Sequence, residues 1–209
     1  MTRFKVEFAS IVAFLCIALL PQHYLNANSP DVRFFISTAV EWQSVRGNTP
    51  QQLETATARI YGLAQIIGLY GGGKLAILSG YVYYDPKAKA FEFSPGEGFT
   101  VDTGKWEKAE DNHLKVEYRF AWGEKLACPA GSTSYRDCDD AHYRQPAVIA
   151  TWSVASRADG TIASMEAHLL DTTSDRHCIA LSKLSNQDEV MRILRHAEKE
   201  LSEYRNLSP

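Results

Sequence analysis

Residues 150–169 read ATWSVASRADGTIASMEAHL, and this stretch decides the fold class. Apolar and polar side chains alternate on both sides of an Asp-Gly dipeptide at 159–160, which favours a two-residue type I′ turn between antiparallel strands. The register implied by this turn pairs Val154 with Met165, Trp152 with Ala167 and Ser153 with Glu166. Each pair joins residues of similar character, and a slip of one residue would mix the two faces. The stretch therefore predicts a β-hairpin with one buried face and one solvated face.

Segments upstream of this hairpin show the same period of two. Residues 114–122 alternate Leu, Val, Tyr, Phe and Trp with Lys, Glu, Arg and Ala, which is typical of a strand with one buried face. Residues 74–84 and 90–94 flank a turn at Asp85 and Pro86. A four-residue loop there would place Val82 opposite Phe91 and Gly80 opposite Phe93. We expect an antiparallel sheet of about five strands.

The region before these strands shows helical spacing. A cap-and-proline pair at 29–30 precedes apolar residues at intervals of three or four, and the pattern ends at Gly47. A second such pair at 49–50 begins a similar pattern that runs to about Tyr70. Three glycines at 71–73 end it, because glycine loses too much backbone entropy in a helix. The sequence predicts two N-terminal helices.

A last helix is predicted at the C-terminus, beginning at Ser185 and Asp188. Its apolar positions form one stripe: Val190, Ile193, Leu194, Ala197, Leu201 and Tyr204. The prediction is therefore one α+β domain over residues 28–209. It has two N-terminal helices, an antiparallel sheet of about five strands, and a C-terminal helix packed on the sheet.

The first 27 residues have the pattern of a signal peptide. Arg3 and Lys5 precede an apolar run over residues 8–20, and Pro21 follows it. The run has 13 residues, whereas a membrane-spanning helix needs roughly 20. We expect cleavage after Ala27 and a periplasmic or secreted protein. An uncleaved anchor, with the domain facing outside the cytoplasm, is the alternative.

Charge and composition exclude some partners. The chain has 22 Lys and Arg against 25 Asp and Glu, for a net charge of −3. No cluster of basic residues interleaved with aromatics is present, and a nucleic-acid backbone would require one. We expect no nucleic-acid partner, and contact with a membrane only through residues 8–20 if they are not removed.

Three cysteines follow the signal segment, and in an exported protein such cysteines are commonly oxidised. A bridge between Cys128 and Cys138 is preferred, because it would close a polar loop rich in Gly, Ser and Asp. The alternative bridge joins Cys138 to Cys178. In either case one thiol is left over, and we expect it to be buried and unreactive.

Motifs for cofactor chemistry are incomplete or missing. Gly68, Gly73 and Lys74 match the start of a phosphate-binding loop, but Leu75 stands where a Ser or Thr must reach magnesium. The Gly-x-Ser-x-Gly elbow, the His-Glu-x-x-His zinc helix and the Cys-x-x-Cys pair do not occur in the sequence. The sequence predicts no bound cofactor.

The densest group of polar side chains lies beside the proposed disulfide. Asp139, Asp140 and His142 could bind a hard cation or activate a water molecule, and His177 would have to join them in space. This is the alternative site, that of a metal-assisted hydrolase. The simpler interpretation is a solvated loop, because Asp is common in loops.

The preferred interpretation is a non-enzymatic binding module of the inhibitor or accessory type, with another protein as its partner. Loops on rigid scaffolds commonly carry recognition residues, and the loop over residues 128–146 is the expected contact surface. Tyr and Arg are enriched at binding hot spots. The expected anchors are therefore Tyr135, Arg136, Tyr143 and Arg144. A carrier of an apolar ligand, held between the sheet and the helices, is a further alternative.

Overall fold

The computed structural model describes residues 31–37, 60–110, 112–126, 140–169 and 175–207. The described strands form a closed barrel in which every strand is antiparallel to its neighbours and β1 pairs with β8. The strands are β1 Val32–Ser37, β2 Ile60–Tyr70, β3 Lys74–Asp85, β4 Ala90–Ala109, β5 His113–Glu124, β6 Val148–Ser156, β7 Ile162–Ala167 and β8 Arg176–Ala180. One long helix, α1, spans Gln187–Leu207.

The α+β prediction with two N-terminal helices and about five strands is wrong. Residues 32–37 and 60–70, which the helical spacing assigned to those helices, are strands β1 and β2 of an eight-stranded barrel. The reason is that both faces of these strands are covered. Phe35 points into the barrel while Phe34 and Ile36 pack outside it, so all three are buried. A strand buried on both faces reads as an apolar run without alternation.

Two apolar cores lie on the two sides of the barrel wall. The interior core fills the barrel with side chains from its strands, among them Phe35, Ile67, Ile77, Leu114, Tyr118, Trp152, Met165 and Cys178. The outer core lies on the outer face of β1 to β5 and is covered by α1. Its members include Phe34, Ile66, Leu78, Phe93, Val101, Val190 and Leu194. An eight-stranded barrel is just wide enough to be filled by side chains or by one small ligand.

The C-terminal helix is present as the sequence indicates. The predicted stripe faces the outer core, with Val190, Ile193, Leu194, Ala197 and Leu201 buried and Tyr204 half-buried. The hydroxyl of Tyr70 donates to the sulfur of Met191 at 3.6 Å, and Lys74 forms an ion pair with Glu198 at 2.7 Å. In the described part of the chain, no helix combines the length and apolar character needed to cross a membrane.

The segment before α1 attaches to the free edge of β4. The N–H of Ser185 donates to the carbonyl of Phe91 at 2.8 Å, and the Ser185 hydroxyl donates to the same oxygen at 2.9 Å. The Asn186 side chain accepts from the N–H of Phe93 at 3.0 Å and donates to its carbonyl at 2.7 Å. It also donates to Glu189 at 3.0 Å. An otherwise unpaired strand edge is thereby closed.

The register of the 150–169 hairpin is confirmed at Val154 with Met165 and at Ser153 with Glu166. The predicted two-residue turn is wrong, because the loop has three residues, 158–160. The N–H of Arg157 donates to the carbonyl of Thr161 at 2.7 Å, and Gly160 has a φ of 79°. A register shift after Ala155 absorbs the extra residue and restores the expected pairing further along the strands.

The other predicted strands are also present, with one correction. Val82 lies opposite Phe93 instead of Phe91, and Gly80 lies opposite Phe99 instead of Phe93. Both differences are an even number of residues, so the side chains keep their expected faces. In β5 a bulge at Ala121 moves Trp122 to the side of the outer core. At Gly104 the strands β4 and β5 approach so closely that a Cβ atom would overlap the carbonyl oxygen of Glu117.

Candidate functional site

A groove of about 550 Å³ opens at the seam between the last strand and the first. It exists because β8 ends at Ala180, whereas its neighbours extend further. The last pairs are Phe35 with Ala180 in β1 and Ser164 with Ile179 in β7, so Val32 and Ile162 lie beyond the end of β8. The groove is lined by Val32, Arg33, Phe34, Phe35, Arg157, Asp159, Thr161, Ile162, Ala180, Leu181, Ser182, Lys183, Leu184 and Gln187.

The floor of this seam groove is apolar. Phe34, Phe35 and Leu184 are buried and belong to the two cores, so their positions are fixed by packing. Ile162 and Leu181 are half-buried and present apolar surface to the opening. The N–H of Leu181 donates to the carbonyl of Phe34 at 2.8 Å, which holds the wall after β8 against β1. The volume lies within the range of about 300–1,000 Å³ that is usual for small-molecule sites.

The rim of the seam groove is cationic. Arg33, Arg157 and Lys183 line it from three separate parts of the chain, and all three are exposed. Among the lining residues that the structure describes, Asp159 is the single acidic one, so these residues carry three positive charges and one negative charge, a net of +2. Among the described residues, neither Arg33 nor Lys183 forms an ion pair with a carboxylate within 4.0 Å.

The loop between β6 and β7 fixes two of these charges. The Asp159 carboxylate accepts from the Thr161 N–H at 2.9 Å and from the Thr161 hydroxyl at 2.7 Å. These hydrogen bonds, together with the charges of Arg157 and Arg33, lower the pKa of Asp159, so it stays ionised. Arg157 donates to the Thr161 hydroxyl at 3.3 Å. The carboxylate is therefore held at the rim by its own loop.

Several residues predicted from sequence lie outside the described ones: the anchors Tyr135 and Arg136, the disulfide pair Cys128 and Cys138, and Asp139 of the alternative hydrolase site. Of the others, Tyr143 stacks on Tyr204 of α1 with ring centroids 4.2 Å apart and meets the edge of Phe120 at 5.2 Å. His142 also contacts Phe120, at 5.0 Å. Tyr143 and His142 therefore pack against the barrel and helix.

Arg144 and Asp140 face each other one helical turn apart, with 3.7 Å between their charged atoms. The Arg144 side chain is 77% exposed, so this ion pair contributes little to stability. Arg144 remains available to an external partner. The prediction that it anchors such a partner stays a prediction.

His177, the other member of the alternative hydrolase site, pairs with a different residue. It lies in β8 opposite Glu166 of β7, and its Nδ1 is 2.5 Å from the Glu166 carboxylate. Within the described ranges, no three His, Cys, Asp or Glu side chains lie close enough to hold one metal ion. Because Asp139 lies outside those ranges, the metal-assisted hydrolase remains an alternative prediction.

Cys178 is a buried free thiol in the interior core. Its Sγ donates to the carbonyl of Arg176 at 3.5 Å. Burial, with a smaller effect of the Glu166 charge, raises the pKa of the Cys178 thiol to about 12. A thiol in this state is a poor nucleophile, because the thiolate is the reactive form.

A face of aromatic side chains lies where β2 and β3 extend beyond the interior core. The Tyr61 ring is 6.2 Å from that of Tyr81 and 5.6 Å from that of Tyr83. Leu63 on the same face is 54% exposed. Tyr84, by contrast, belongs to the outer core.

Sequence reasoning did not find the seam groove. Its cations lie in β1, at the end of β6 and after β8, and no spacing along the chain connects them. They come together only because the barrel closes on itself. Comparison with family models, with curated proteins and with solved structures found no match.

Proposed function

We propose that this chain is a non-enzymatic binding protein that holds a small ligand in the seam groove. The observation that carries the proposal is the groove itself, which combines an apolar floor with exposed cations on a closed barrel. Concave, largely preformed sites with a few polar groups are the usual form of small-molecule sites. The barrel supplies rigidity, because the residues beneath the groove belong to its two cores.

The residues that line the groove supply recognition groups. In the described part of the lining, the ionisable residues are two arginines, one lysine and one carboxylate that is already hydrogen-bonded to Thr161. The one hydroxyl hydrogen-bonded to a carboxylate among the described lining residues is that of Thr161, which donates to Asp159 two positions earlier in the same turn at 2.7 Å. Such a local contact is the usual way in which an Asp side chain closes a turn. This favours binding over chemistry at the groove.

Calorimetric titration with two aromatic probes tests the proposal. The probes are phenylnaphthylamine, which is neutral, and anilinonaphthalene sulfonate, which adds a negative charge to similar rings. We expect at least one to bind the full chain, and Ser182→Trp to raise its Kd roughly tenfold or more, because Ser182 lines the groove. Ser153→Trp, at an exposed position of β6, is the matched control and should leave the Kd unchanged. No binding of either probe, or equal binding by both variants, would contradict the proposal.

A second candidate is the binding of another protein through the 128–146 loop. The observation that favours it is the stacking of Tyr143 on Tyr204, which fixes one end of that loop to α1 beside the exposed Arg144. Cross-linking in the native host tests it. Arg144→Ala should reduce cross-linked partner without lowering stability, and an unchanged cross-linking pattern would count against this surface.

We further propose that the domain acts outside the cytoplasm, after removal of the segment that ends at Ala27. Support comes from the order of basic residues, apolar run and proline in the first 27 residues. The intact mass of protein from the native host is the test. A mass beginning at Asn28 is expected, and the full-length mass would mean that the segment is retained.

A further inference from the structure

We infer that the ligand of the seam groove is an amphipathic anion, with one acidic head group at the cationic rim and an apolar portion on the floor. The inference rests on the proposed function and names the chemistry of its ligand. Charge complementarity carries it. The whole chain has a net charge of −3, whereas the groove has a net charge of +2. A concentrated charge of opposite sign to the rest of the protein attracts an anion selectively.

The cations at the rim are suited to an oxygen-rich head group. Arg33 and Arg157 each present a planar set of N–H donors, which match carboxylate, sulfonate or phosphate oxygens in pairs. Lys183 adds a point charge from the wall that follows β8. Since Arg33 and Lys183 have no carboxylate within ion-pair distance among the described residues, binding an anion requires no internal ion pair to break at either.

The apolar floor distinguishes this site from one for a simple inorganic anion. Seven of the fourteen described residues that line the groove are apolar: Val32, Phe34, Phe35, Ile162, Ala180, Leu181 and Leu184. Phe34, Phe35 and Leu184 are already buried, whereas the half-buried Val32, Ile162, Ala180 and Leu181 still present apolar surface to water. Covering that remaining surface with an apolar group is favourable in proportion to the area covered. A ligand with an anionic head group and an apolar portion can therefore contact the cationic rim and the apolar floor at the same time.

Removal of the Asp159 charge provides a test in which binding of the anion should become tighter. The Asp159 carboxylate is fixed by the two hydrogen bonds from Thr161, and it places a negative charge at the same rim. Asp159→Asn keeps an oxygen that can accept from Thr161 and removes the charge. The variant should bind an anionic ligand more tightly, by roughly threefold to tenfold, an effect that a loss of local structure would not produce.

The experiment compares the two aromatic probes on the full chain by calorimetry. Arg33→Gln and Lys183→Gln should each raise the Kd of anilinonaphthalene sulfonate roughly tenfold, which corresponds to about 1.4 kcal/mol. Lys108→Gln, at an exposed lysine of β4 outside the groove, removes the same charge and should leave that Kd unchanged. The Kd of phenylnaphthylamine should change in none of these variants. Added salt should weaken the binding of the sulfonate alone.

The outcomes separate this inference from the function on which it rests. Suppose that the neutral probe binds in the groove, that the sulfonate binds no more tightly, and that the Kd of the sulfonate is the same in the Gln and Asn variants. The anionic ligand is then ruled out and the binding function stands. If neither probe binds, the binding function itself fails. Binding to vesicles of phosphatidylglycerol without binding of the free sulfonate would replace the soluble ligand with a lipid surface and would overturn the inference.

Discussion

Replacing Asn186 with alanine should loosen α1 from the barrel. The Asn186 side chain forms two hydrogen bonds with the backbone of Phe93 and a third with Glu189. The substitution leaves a half-buried N–H and carbonyl of β4 without these partners, which costs about 1–3 kcal/mol for an unsatisfied group. The bond to Glu189 is partly exposed and adds less. We expect a loss of about 2–3 kcal/mol in the free energy of unfolding.

Urea denaturation followed by tryptophan fluorescence measures this loss. The control is Ser185→Ala in the same segment, because the Phe91 carbonyl keeps its bond from the Ser185 N–H when the hydroxyl is removed. That variant should lose less than about 1 kcal/mol. The reasoning would be refuted by equal losses in the two variants, or by an Asn186→Ala loss below about 1 kcal/mol at an unchanged slope.

Three other predictions follow from packing and titration. Gly104→Ala should destabilise the barrel strongly, by about 3 kcal/mol or more, because its Cβ would overlap backbone, whereas Gly96→Ala meets open space and should change stability by less than about 0.5 kcal/mol. Trp152→Ala empties part of the interior core and should cost about 3–5 kcal/mol in the same urea assay; a smaller loss would mean that the barrel collapses around the gap. Burial is the main cause that raises the pKa values of Cys178 and Tyr70 to about 12 in the folded chain. The unfolded chain therefore loses these protons first, and stability should fall as pH rises from about 9 towards 12. Urea midpoints between pH 8 and pH 10.5 measure this, and a midpoint that rises over the range would contradict it.

The sequence revealed β5 and β6 because each has one wet face, whereas β3, which is covered on both faces, was recognised from the turn at Asp85 and Pro86 that follows it. In β5, Leu114 and Val116 are buried while Lys115 between them is exposed, so the alternation is visible in the sequence. The same holds for Trp152 and Val154 in β6. These patterns predict strand, face and register, and the register held even where the turn differed, because a bulge compensated for the longer loop.

The sequence concealed β1 and β2, which are covered on both sides. In β2, Ile66 packs in the outer core and Ile67 in the interior core, so neighbouring positions are both apolar. Leu63, which continues the apparent helical spacing, is more than half exposed. The apparent helical spacing of apolar residues in β2 thus arose by chance, because both faces of the strand carry apolar side chains. Only knowledge that both sides of the sheet are covered would have corrected it.

The candidate site is hidden for a different reason. Arg33, Arg157 and Lys183 are single cations among ordinary residues, and each alone indicates only a solvated surface. Their convergence depends on where β8 stops relative to its two neighbours. That is a property of the closed sheet, and a local pattern in the sequence does not encode it.

The pairing of β1 with β8 also sets the order of events in folding. The other pairings in the barrel join strands that are consecutive in the chain, and such local contacts form early. The β1–β8 contact rests on three residue pairs between distant parts of the chain, from Phe35 with Ala180 to Ser37 with Cys178. Closing so long a loop carries an entropy cost that is recovered only when the strands meet. During synthesis β8 is the last strand to emerge, so the ring closes late and the groove at its seam forms with that final step.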